Sequence, residues 1–271
     1  MDDAACTAFL QWALPQMRMR WAGYRKVRKQ VCKRIGRWLH ELGLSDAEAY
    51  RGYLARHPSE WSTLDSLCPI TISRFYRDAD VFDHLERDVL PWLARRAVAG
   101  RSPLVRAWSI GCSGGEEPYT LSLIWDFSTA SQAPGVEFAI LATEVSGEAL
   151  ERARKACYPE TCLSTLPPRW VDSAFERVDG RYCLRPLHRS RVTFALQDIR
   201  QATPEDCFDL ILCRNLVLTY FEEDLQRELL PRILARLAPG GAFVIGRKER
   251  LPAGFPPGAG QPPLGIYRAP S

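Results

Sequence analysis

The sequence has no long hydrophobic run and no start of the kind that directs secretion. Its 271 residues contain no stretch of about 18 apolar residues, so no membrane-spanning helix is expected. The first residues, MDDAACTAFLQW, lack the basic start and apolar core of a secretory signal. Apolar residues make up 46% of the chain, which is enough for a buried core and excludes a disordered protein. The length predicts one large domain or two ordinary ones.

Metal-ligand spacing is also missing. The nine cysteines form no CxxC pair and show no zinc-type spacing with the four histidines, so no metal site is expected. An odd number of scattered cysteines without a secretory signal predicts reduced thiols and a cytoplasmic protein.

Charge is present but unevenly distributed. Residues 1–40 hold nine Lys or Arg against Asp2 and Asp3, a net +7, although the whole chain has a net charge of only +4. A basic segment on a near-neutral body predicts an acidic partner. The alternative is a solvated helix face without a partner.

The first 68 residues predict a helical domain. Apolar residues recur at helical spacing within 9–17 and 31–39. Ser45, with Glu48 three residues later, has the capping-box pattern of a helix start. No segment of this region has the pattern of a strand, so we expect an all-helical domain over 1–68.

A linker followed by a helix is expected over 69–102. Pro69 marks the break after the helical domain. Asp78 or Asp80 is the candidate cap of the helix that follows.

From residue 103 the pattern becomes that of an α/β protein. Short β-rich apolar runs alternate with helical ones, which indicates a parallel sheet covered on both faces. The candidate strands are 104–110, 137–143, 192–197, 208–213 and 242–246, and the candidate helices are 116–129, 146–156 and 222–237. Ligands of such sheets bind at the carboxyl ends of the strands. One crevice is therefore expected to collect the turns at 111–116, 144, 198 and 214–215.

Two irregular segments accompany this sheet. A small β insertion is expected at about 157–191, because Asp179-Gly180 is a strong signal for a two-residue hairpin turn. Residues 251–265 are rich in Pro and Gly and are expected to form a loop.

The turn after the first strand, GCSGGEEPY (111–119), is rich in glycine but carries carboxylates. Gly111, Gly114 and Gly115 would let the backbone approach a ligand closely. The spacing matches neither the GxGxxG of dinucleotide sites nor a phosphate loop with its lysine. A carboxylate at the helix start, Glu116, would repel a pyrophosphate and attract a cation, such as the ammonium or sulfonium region of S-adenosylmethionine. Its alternative role is a cap matched to the helix dipole.

Two further carboxylates follow the neighbouring strands. Glu144, after the second strand, can accept hydrogen bonds from both hydroxyls of a ribose. Asp198, after the third, can face the amino group of an adenine. Together with Glu116, these carboxylates on successive strand ends fit a cationic nucleoside ligand.

Six collinear segments that cover nearly the whole chain carry a resemblance to a known family. They are ITISRFYRD (70–78), WSIGCSGGEEPYTLSL (108–123), ATEVSGEALERARKACYP (142–158), FDLILCRN (208–215), YFEEDLQRELL (220–230) and LAPGGAFVIG (237–246). The chain thereby resembles the CheR-type chemotaxis receptor methyltransferases, which transfer a methyl group from S-adenosylmethionine to receptor glutamates. The resemblance implies a Rossmann-like methyltransferase domain over 103–271, with a small β-subdomain and a preceding helical domain that docks the substrate.

The resemblance also implies a set of site residues. The cofactor-binding positions are Thr71, Ser73, Arg77, Gly111, Glu116, Glu144, Asp198, Ile199, Arg214 and Asn215. Of these, Glu116 would contact the methionine moiety, Glu144 the ribose, and Asp198 with Ile199 the adenine.

Two residues have implied catalytic roles. Arg77 would lie next to the methyl donor and hold the incoming carboxylate, and Tyr220 would add a hydrogen bond to the acceptor. The alternative for Arg77 is a structural ion pair with Asp78 or Asp80.

The sequence departs from the family pattern at several positions. Ser73 replaces a threonine, Glu144 replaces an aspartate, and GRKE (246–249) replaces GHSE. Four residues, 216–219, separate CRN from Tyr220, where the family has three.

An ionised glutamate is already a nucleophile, so its methylation requires alignment rather than a general base. We therefore expect O-methylation of glutamate side chains in a chemoreceptor-like protein, whose acidic cytoplasmic helices contact the basic N-terminal helices. Two alternatives are a different carboxylate or protein acceptor and a regulatory module that binds S-adenosylmethionine without turnover. The protein is expected to be a monomer, with no nucleic-acid partner and no membrane insertion.

Overall fold

The computed structural model describes residues 2–100, 103–255, 262 and 264–270. The predicted loop at 251–265 therefore lies partly outside the described residues. The chain divides into two compact units: Met1–Ile70 with Leu216–Glu228, and Thr71–Asn215 with Leu229–Ser271. None of the helices in the described part of the chain has the length and apolar character needed to span a lipid bilayer.

Helices make up the regular structure before residue 71, as the sequence predicts. They are α1 (Asp3–Gln16), α2 (Trp21–Tyr24), α3 (Arg28–Glu41), α4 (Ala47–Arg56) and α5 (Glu60–Leu67). On α3, Val31, Ile35 and Leu39 recur every fourth residue and are buried, because this spacing places them on one face of a helix. Lys29, Lys33 and Arg37 recur in the same way and are exposed.

The start of α4 corrects the capping-box prediction at Ser45. The N-cap is Asp46, whose Oδ1 accepts a hydrogen bond of 2.8 Å from the backbone N–H of Ala49. Ser45 instead donates from Oγ to Asp46 Oδ2 at 2.8 Å. Aspartate caps a helix as well as serine does, and here it lies one residue closer to the first helical turn.

Two disulfides correct the prediction of reduced thiols for four of the nine cysteines. Cys6 and Cys32 join α1 to α3, with their Cα atoms 5.9 Å apart. Cys157 and Cys183 lie directly opposite each other on two antiparallel strands. Both pairs are 26 residues apart in the chain, so no short sequence motif marks them.

The segment Leu216–Glu228 joins the first unit through a turn near α2. Arg18 makes a two-pronged ion pair with Glu228, at 2.6 and 2.9 Å. Met19 pairs with Phe221 in an isolated antiparallel bridge. A Cβ at Gly23 would overlap the carbonyl oxygen of Thr219, so only glycine allows this approach.

The remaining helices continue in chain order. They are α6 (Ala79–His84), α7 (Leu90–Ala99), α8 (Glu116–Ile124), α9 (Gly147–Lys155), α10 (Pro168–Ala174), α11 (Pro186–Arg189), α12 (Val217–Tyr220) and α13 (Glu223–Leu234). Single π-helical turns, Leu85–Val89 and Trp125–Thr129, follow α6 and α8. Two short 3₁₀ turns span Ala130–Gln132 and Glu160–Cys162. The segment 71–78, which we call the strap, precedes α6 and lies in the second unit.

The strands form two sheets within the second unit. They are β1 (Leu104–Ile110), β2 (Glu137–Glu144), β3 (Cys157–Tyr158), β4 (Phe175–Val178), β5 (Arg181–Leu184), β6 (Val192–Leu196), β7 (Phe208–Cys213), β8 (Leu237–Ile245) and β9 (Ile266–Arg268). The five predicted strands are confirmed, although β8 begins earlier than predicted. β9 was not predicted, since a three-residue strand after a Pro/Gly-rich stretch has little pattern of its own.

The large sheet has the order β6-β2-β1-β7-β8-β9. Its strands are parallel except for β9, which runs antiparallel to β8. The chain order reverses at β1, between β2 and β7, so the carboxyl ends of these strands form the usual ligand position of such a sheet. This confirms the predicted α/β class with a parallel sheet.

The insertion contains a three-stranded antiparallel sheet of order β3-β5-β4. Asp179 and Gly180 connect β4 to β5, and both have positive φ, at 48° and 74°. The predicted two-residue hairpin is therefore confirmed, because this turn type requires positive φ at both positions.

Candidate functional site

The glycine-rich turn after β1 is folded against the end of β2. The backbone N–H groups of Gly111 and Cys112 both donate to the carbonyl of Thr143, at 2.8 and 3.0 Å. Gly115 has a φ of 89°, and a Cβ there would lie 3.0 Å from Tyr119 and 3.1 Å from Ala153. Glycine is required here by both the left-handed conformation and the close packing.

Glu116 opens α8 and is buried, with 7% of its surface exposed. Its Oε2 has no hydrogen-bond partner among the described residues. Burial raises the pKa of the Glu116 carboxyl, while the charge of Arg152 and the hydroxyl of Ser73 act in the opposite direction. Such an acid is stabilised in its ionised form by any cation that reaches Oε2.

Glu144, at the end of β2, is equally buried but its carboxylate is well satisfied. Oε2 accepts from the N–H of Ser113 at 2.9 Å, and Oε1 accepts from Val145 and Ser146 at 2.9 and 3.0 Å. A carboxylate accepts about four hydrogen bonds. One acceptor position, on Oε2, therefore remains for a ligand hydroxyl.

Asp198 and Ile199 follow β6, as predicted. The carboxylate of Asp198 pairs with its neighbour Arg200, whose Nη2 lies 2.7 Å from Oδ2. Ile199 is buried, with 7% exposed. Gln197, which the sequence did not single out, donates its backbone N–H to the carbonyl of Glu144 at 2.9 Å. Its Oε1 is buried and has no hydrogen-bond partner in the part of the chain that the structure describes.

Arg214 follows β7 and has only 2% of its side chain exposed. Nη1 donates to Glu117 Oε2 at 2.9 Å. Nη2 donates to Asp78 Oδ2 at 2.9 Å and to the carbonyl of Arg77 at 2.8 Å. The guanidinium carbon lies 4.9 Å from the centre of the Phe82 ring. Nε is buried and has no partner among the described residues.

Asn215 adopts a left-handed conformation with a φ of 54°. Its backbone N–H donates to Glu249 Oε2 at 2.9 Å, and the same oxygen accepts from Gly246 at 2.6 Å. Glu249, the acid of the GRKE segment, therefore ties the turn after β7 to the end of β8. No sequence motif had indicated this role for Glu249.

The strap carries Thr71, Ser73 and Arg77, all of which are partly buried. Arg77 donates from Nη1 to the carbonyl of Ile72 at 3.3 Å. Within the described ranges no carboxylate pairs with its guanidinium. Asp78 pairs with Arg214 and Asp80 with Arg247, so the structural ion pairs considered for Arg77 are made by other arginines.

Tyr220 ends α12 and is grouped with the first unit. Its carbonyl accepts from the N–H of Arg20 at 2.8 Å. Its ring centre lies 4.9 Å from that of Tyr24. The hydrogen bond from Tyr220 to an acceptor stays a prediction.

Unpaired buried polar atoms concentrate beside the strand ends. Among the described residues, six buried side-chain polar atoms have no partner. Four of them adjoin the turns described above: Ser113 Oγ, Glu116 Oε2, Gln197 Oε1 and Arg214 Nε. Buried polar atoms are normally hydrogen-bonded, so this set indicates a ligand that supplies both donors and acceptors. An ammonium, a carboxylate, ribose hydroxyls and an adenine edge, as in S-adenosylmethionine, fit this requirement.

Comparison with known proteins agrees with this chemistry. A family model described as "CheR methyltransferase, SAM binding domain" matches residues 71–256. A chemotaxis protein methyltransferase of Escherichia coli is 32% identical over 232 residues, which cover 83% of this chain and 77% of that protein. A probable chemotaxis protein methyltransferase of Rhizobium etli is 32% identical over 231 residues, covering 82% and 84%.

Two further similarities are weaker, because one relative is much longer than this chain and one solved structure is only distantly similar. An uncharacterized 104.1 kDa protein of Rhodobacter capsulatus is 30% identical over 82% of this chain, which spans only 23% of that protein. The N-methyltransferase NodS of Bradyrhizobium japonicum, in complex with S-adenosyl-l-homocysteine, is 18% identical with a TM-score of 0.36, covering 70% of this chain and 72% of that one. A TM-score this low supports no inference about this chain.

Proposed function

The chain belongs to the CheR family of S-adenosylmethionine-dependent methyltransferases, and we propose that it methylates glutamate side chains of a chemoreceptor-like protein. Relatives that share about a third of its residues over most of their length are named chemotaxis protein methyltransferases. The acceptor proposed here is a carboxylate, and one observation carries that choice: Arg77 has a guanidinium without a carboxylate partner among the described residues.

The residues at the strand ends are proposed to hold the cofactor. Glu116 receives the ammonium of the methionine moiety on its unpaired Oε2. Glu144 accepts from a ribose hydroxyl, and Asp198 with Ile199 borders the adenine. Thr71 and Ser73 border the cofactor from the strap, and the turn at Gly111 lets the backbone approach it.

Arg77 is proposed to bind and orient the acceptor. S-adenosylmethionine supplies an electrophilic methyl group on a sulfonium. A guanidinium can hold one carboxylate in two-pronged geometry and aim an oxygen lone pair at a fixed point. The acceptor carboxylate is ionised near neutral pH, so no side chain has to remove a proton from it. The chain's contribution is then alignment and exclusion of water.

The exposed face of α3 is proposed to bind the acidic substrate. Lys29, Lys33 and Arg37 lie at four-residue intervals, and no carboxylate of the described residues forms a salt bridge with them. Like charges at this spacing destabilise a helix. An acidic helix laid along this face would relieve that repulsion. We expect substrate affinity to fall with added salt, and salt-independent binding would favour a solvated face.

Labelled methyl transfer tests the proposal. The purified protein is incubated with radiolabelled S-adenosylmethionine and the cytoplasmic fragment of a chemoreceptor. We expect label in the fragment that is released as methanol at alkaline pH, because carboxyl esters hydrolyse in base whereas N-methyl groups do not. A fragment with its acceptor glutamates replaced by glutamine is the matched control.

The outcomes separate the alternatives. Base-stable label would identify a different kind of acceptor. Cofactor binding by calorimetry without any transfer would favour a regulatory module. Arg77→Ala should abolish transfer while leaving most of the cofactor affinity, and retained activity in this variant would refute the acceptor role of Arg77.

A further inference from the structure

Arg77 is held between two residues with unusual backbone conformations. Tyr76 has a φ of 54° and Asp78 a φ of 61°, and neither is glycine. Left-handed conformations are sparsely populated by such residues and persist where the surrounding structure enforces them. In the second unit two separate sets of contacts provide this restraint, one for each residue.

The first set fixes Tyr76. Its backbone N–H donates to Thr120 Oγ1 at 3.1 Å. Its ring is buried, and its hydroxyl donates to Glu86 Oε2 at 2.8 Å and lies 3.1 Å from Asp83 Oδ1. These contacts anchor the strap to α8 on one side and to α6 with its π-helical turn on the other. The backbone on the amino side of Arg77 is therefore fixed.

The second set fixes Asp78 through its ion pair with the buried Arg214. Arg214 holds both the carboxylate of Asp78 and the carbonyl of Arg77 with the same nitrogen, Nη2. Its Nη1 is held by Glu117, whose other oxygen accepts from Ser109 Oγ at 2.8 Å. The network thus runs from β1 and the first turn of α8, through the end of β7, to the strap.

We propose that Asp78, Arg214 and Glu117 form an ion network that positions Arg77 for methyl transfer. This inference rests on the proposed role of Arg77 as the residue that holds the acceptor. The network acts on the backbone of Arg77 and leaves its guanidinium available, because the carboxylates of Asp78 and Glu117 both pair with Arg214. Asp78 and Glu117 are therefore positioning residues, and Arg214 has this role in addition to the cofactor contact that the family resemblance implies.

Two substitutions at Asp78 test the charge and the side-chain contact without disturbing the left-handed backbone conformation. Asparagine tolerates the left-handed region and keeps a hydrogen-bond acceptor, so Asp78→Asn removes only the charge. Glycine tolerates the region but has no side chain, so Asp78→Gly removes the contact to Arg214 without adding strain. We expect kcat/KM for the receptor fragment to fall about tenfold in the first variant and about 100-fold in the second, the scale of loss expected from a small misplacement of a catalytic group.

The control is Asp80→Asn, two residues away. Asp80 pairs with Arg247, and both side chains are substantially exposed, at 36% and 54%. Its amide retains the oxygen that accepts from the N–H of Val81. This variant should keep the kcat/KM of the natural sequence.

Cofactor affinity, measured by calorimetry without turnover, is the second readout. In Asp78→Gly it should stay within about threefold of the unchanged protein, which also shows that the variant is folded. Equal losses of cofactor affinity and transfer would mean that the network supports the whole site, and would overturn its assignment to Arg77. So would full activity of Asp78→Gly alongside an inactive Arg77→Ala. A fully active Arg77→Ala variant would instead refute the proposed acceptor role of Arg77. Failure of the proposed function and failure of the positioning network therefore give different results.

Discussion

The turns that follow β1 and β2 each bury a glutamate, and the two carboxylates differ in how far the protein satisfies them. Glu144 accepts three backbone N–H groups. Glu116 leaves Oε2 without a partner among the described residues. Their exposure is nearly the same, at 6% and 7%. A satisfied buried carboxylate stabilises its surroundings, whereas an unsatisfied one costs stability until a ligand pairs with it. Equal burial therefore does not indicate an equal role.

Removing the satisfied carboxylate should have the largest effect. Glu144→Ala leaves three N–H groups without their acceptor, and we expect a loss of about 3 kcal/mol in the free energy of unfolding. Urea denaturation measures this loss. Glu144→Gln keeps one carbonyl oxygen and should lose less. A loss below about 1 kcal/mol for Glu144→Ala would show that the turn after β1 does not depend on Glu144.

Removing the charge of the unsatisfied carboxylate should affect binding instead of folding. Glu116→Gln should leave the free energy of unfolding unchanged or higher, because the cost of burying the carboxyl is reduced. Affinity for S-adenosylmethionine should fall by about 2 kcal/mol, which calorimetry would record as a loss of roughly 30-fold. A loss of stability with unchanged affinity would reverse the roles inferred for Glu116 and Glu144.

The pH dependence of stability should report on the carboxyl of Glu116. Burial raises the pKa of Glu116 in the folded protein. Between the pKa of the unfolded chain and this raised pKa, the folded protein keeps a proton that the unfolded chain has released. Its contribution to stability is therefore greatest below the unfolded pKa and declines as the pH rises through the folded pKa.

Cofactor affinity should change in the opposite direction, because the ammonium of the methionine moiety is proposed to pair with the ionised carboxylate of Glu116. It should decline as the pH falls through the raised pKa, by at most about tenfold per pH unit. Calorimetric titrations from neutral to acid pH measure this slope, and it should disappear in Glu116→Gln. A slope that persists in that variant would assign the titration to another group.

The smallest expected effect is at Ser73, whose hydroxyl favours the ionised form of Glu116. Ser73→Ala should raise the pKa of Glu116 further and weaken cofactor binding by about threefold, or about 0.7 kcal/mol. Ser73→Thr keeps the hydroxyl and should bind as the natural sequence does. Equal binding by the alanine and threonine variants would show that this hydroxyl does not act on Glu116.

The sequence was sufficient to predict elements with strong local patterns. β1 and β7 are short runs made mostly of apolar residues, which is why their bounds match the prediction. The turn at Asp179 and Gly180 was predicted because few residue pairs adopt its conformation. β9 was missed because a partner strand, β8, determines its pairing more than its own three residues do.

The site was predicted less completely, because its remaining features are contacts between distant residues. The positions of Glu116 and Glu144 follow from the strand ends that carry them. Nothing local indicates that Arg214 binds Asp78, 136 residues earlier in the chain. Cys157 and Cys183 likewise meet only because β3 pairs with β5 in one register.

The grouping of Leu216–Glu228 with the first unit has a consequence for how the protein can be divided. This unit consists of two separate segments of the chain. The second segment contributes Phe221, which pairs with Met19 in a β-bridge, and Glu228, which forms an ion pair with Arg18. A truncation near residue 70 would remove Leu216–Glu228 from the helical unit. The helical unit is therefore not a cassette that can be exchanged between methyltransferases by one crossover. A chimera has to carry both pieces from the same parent.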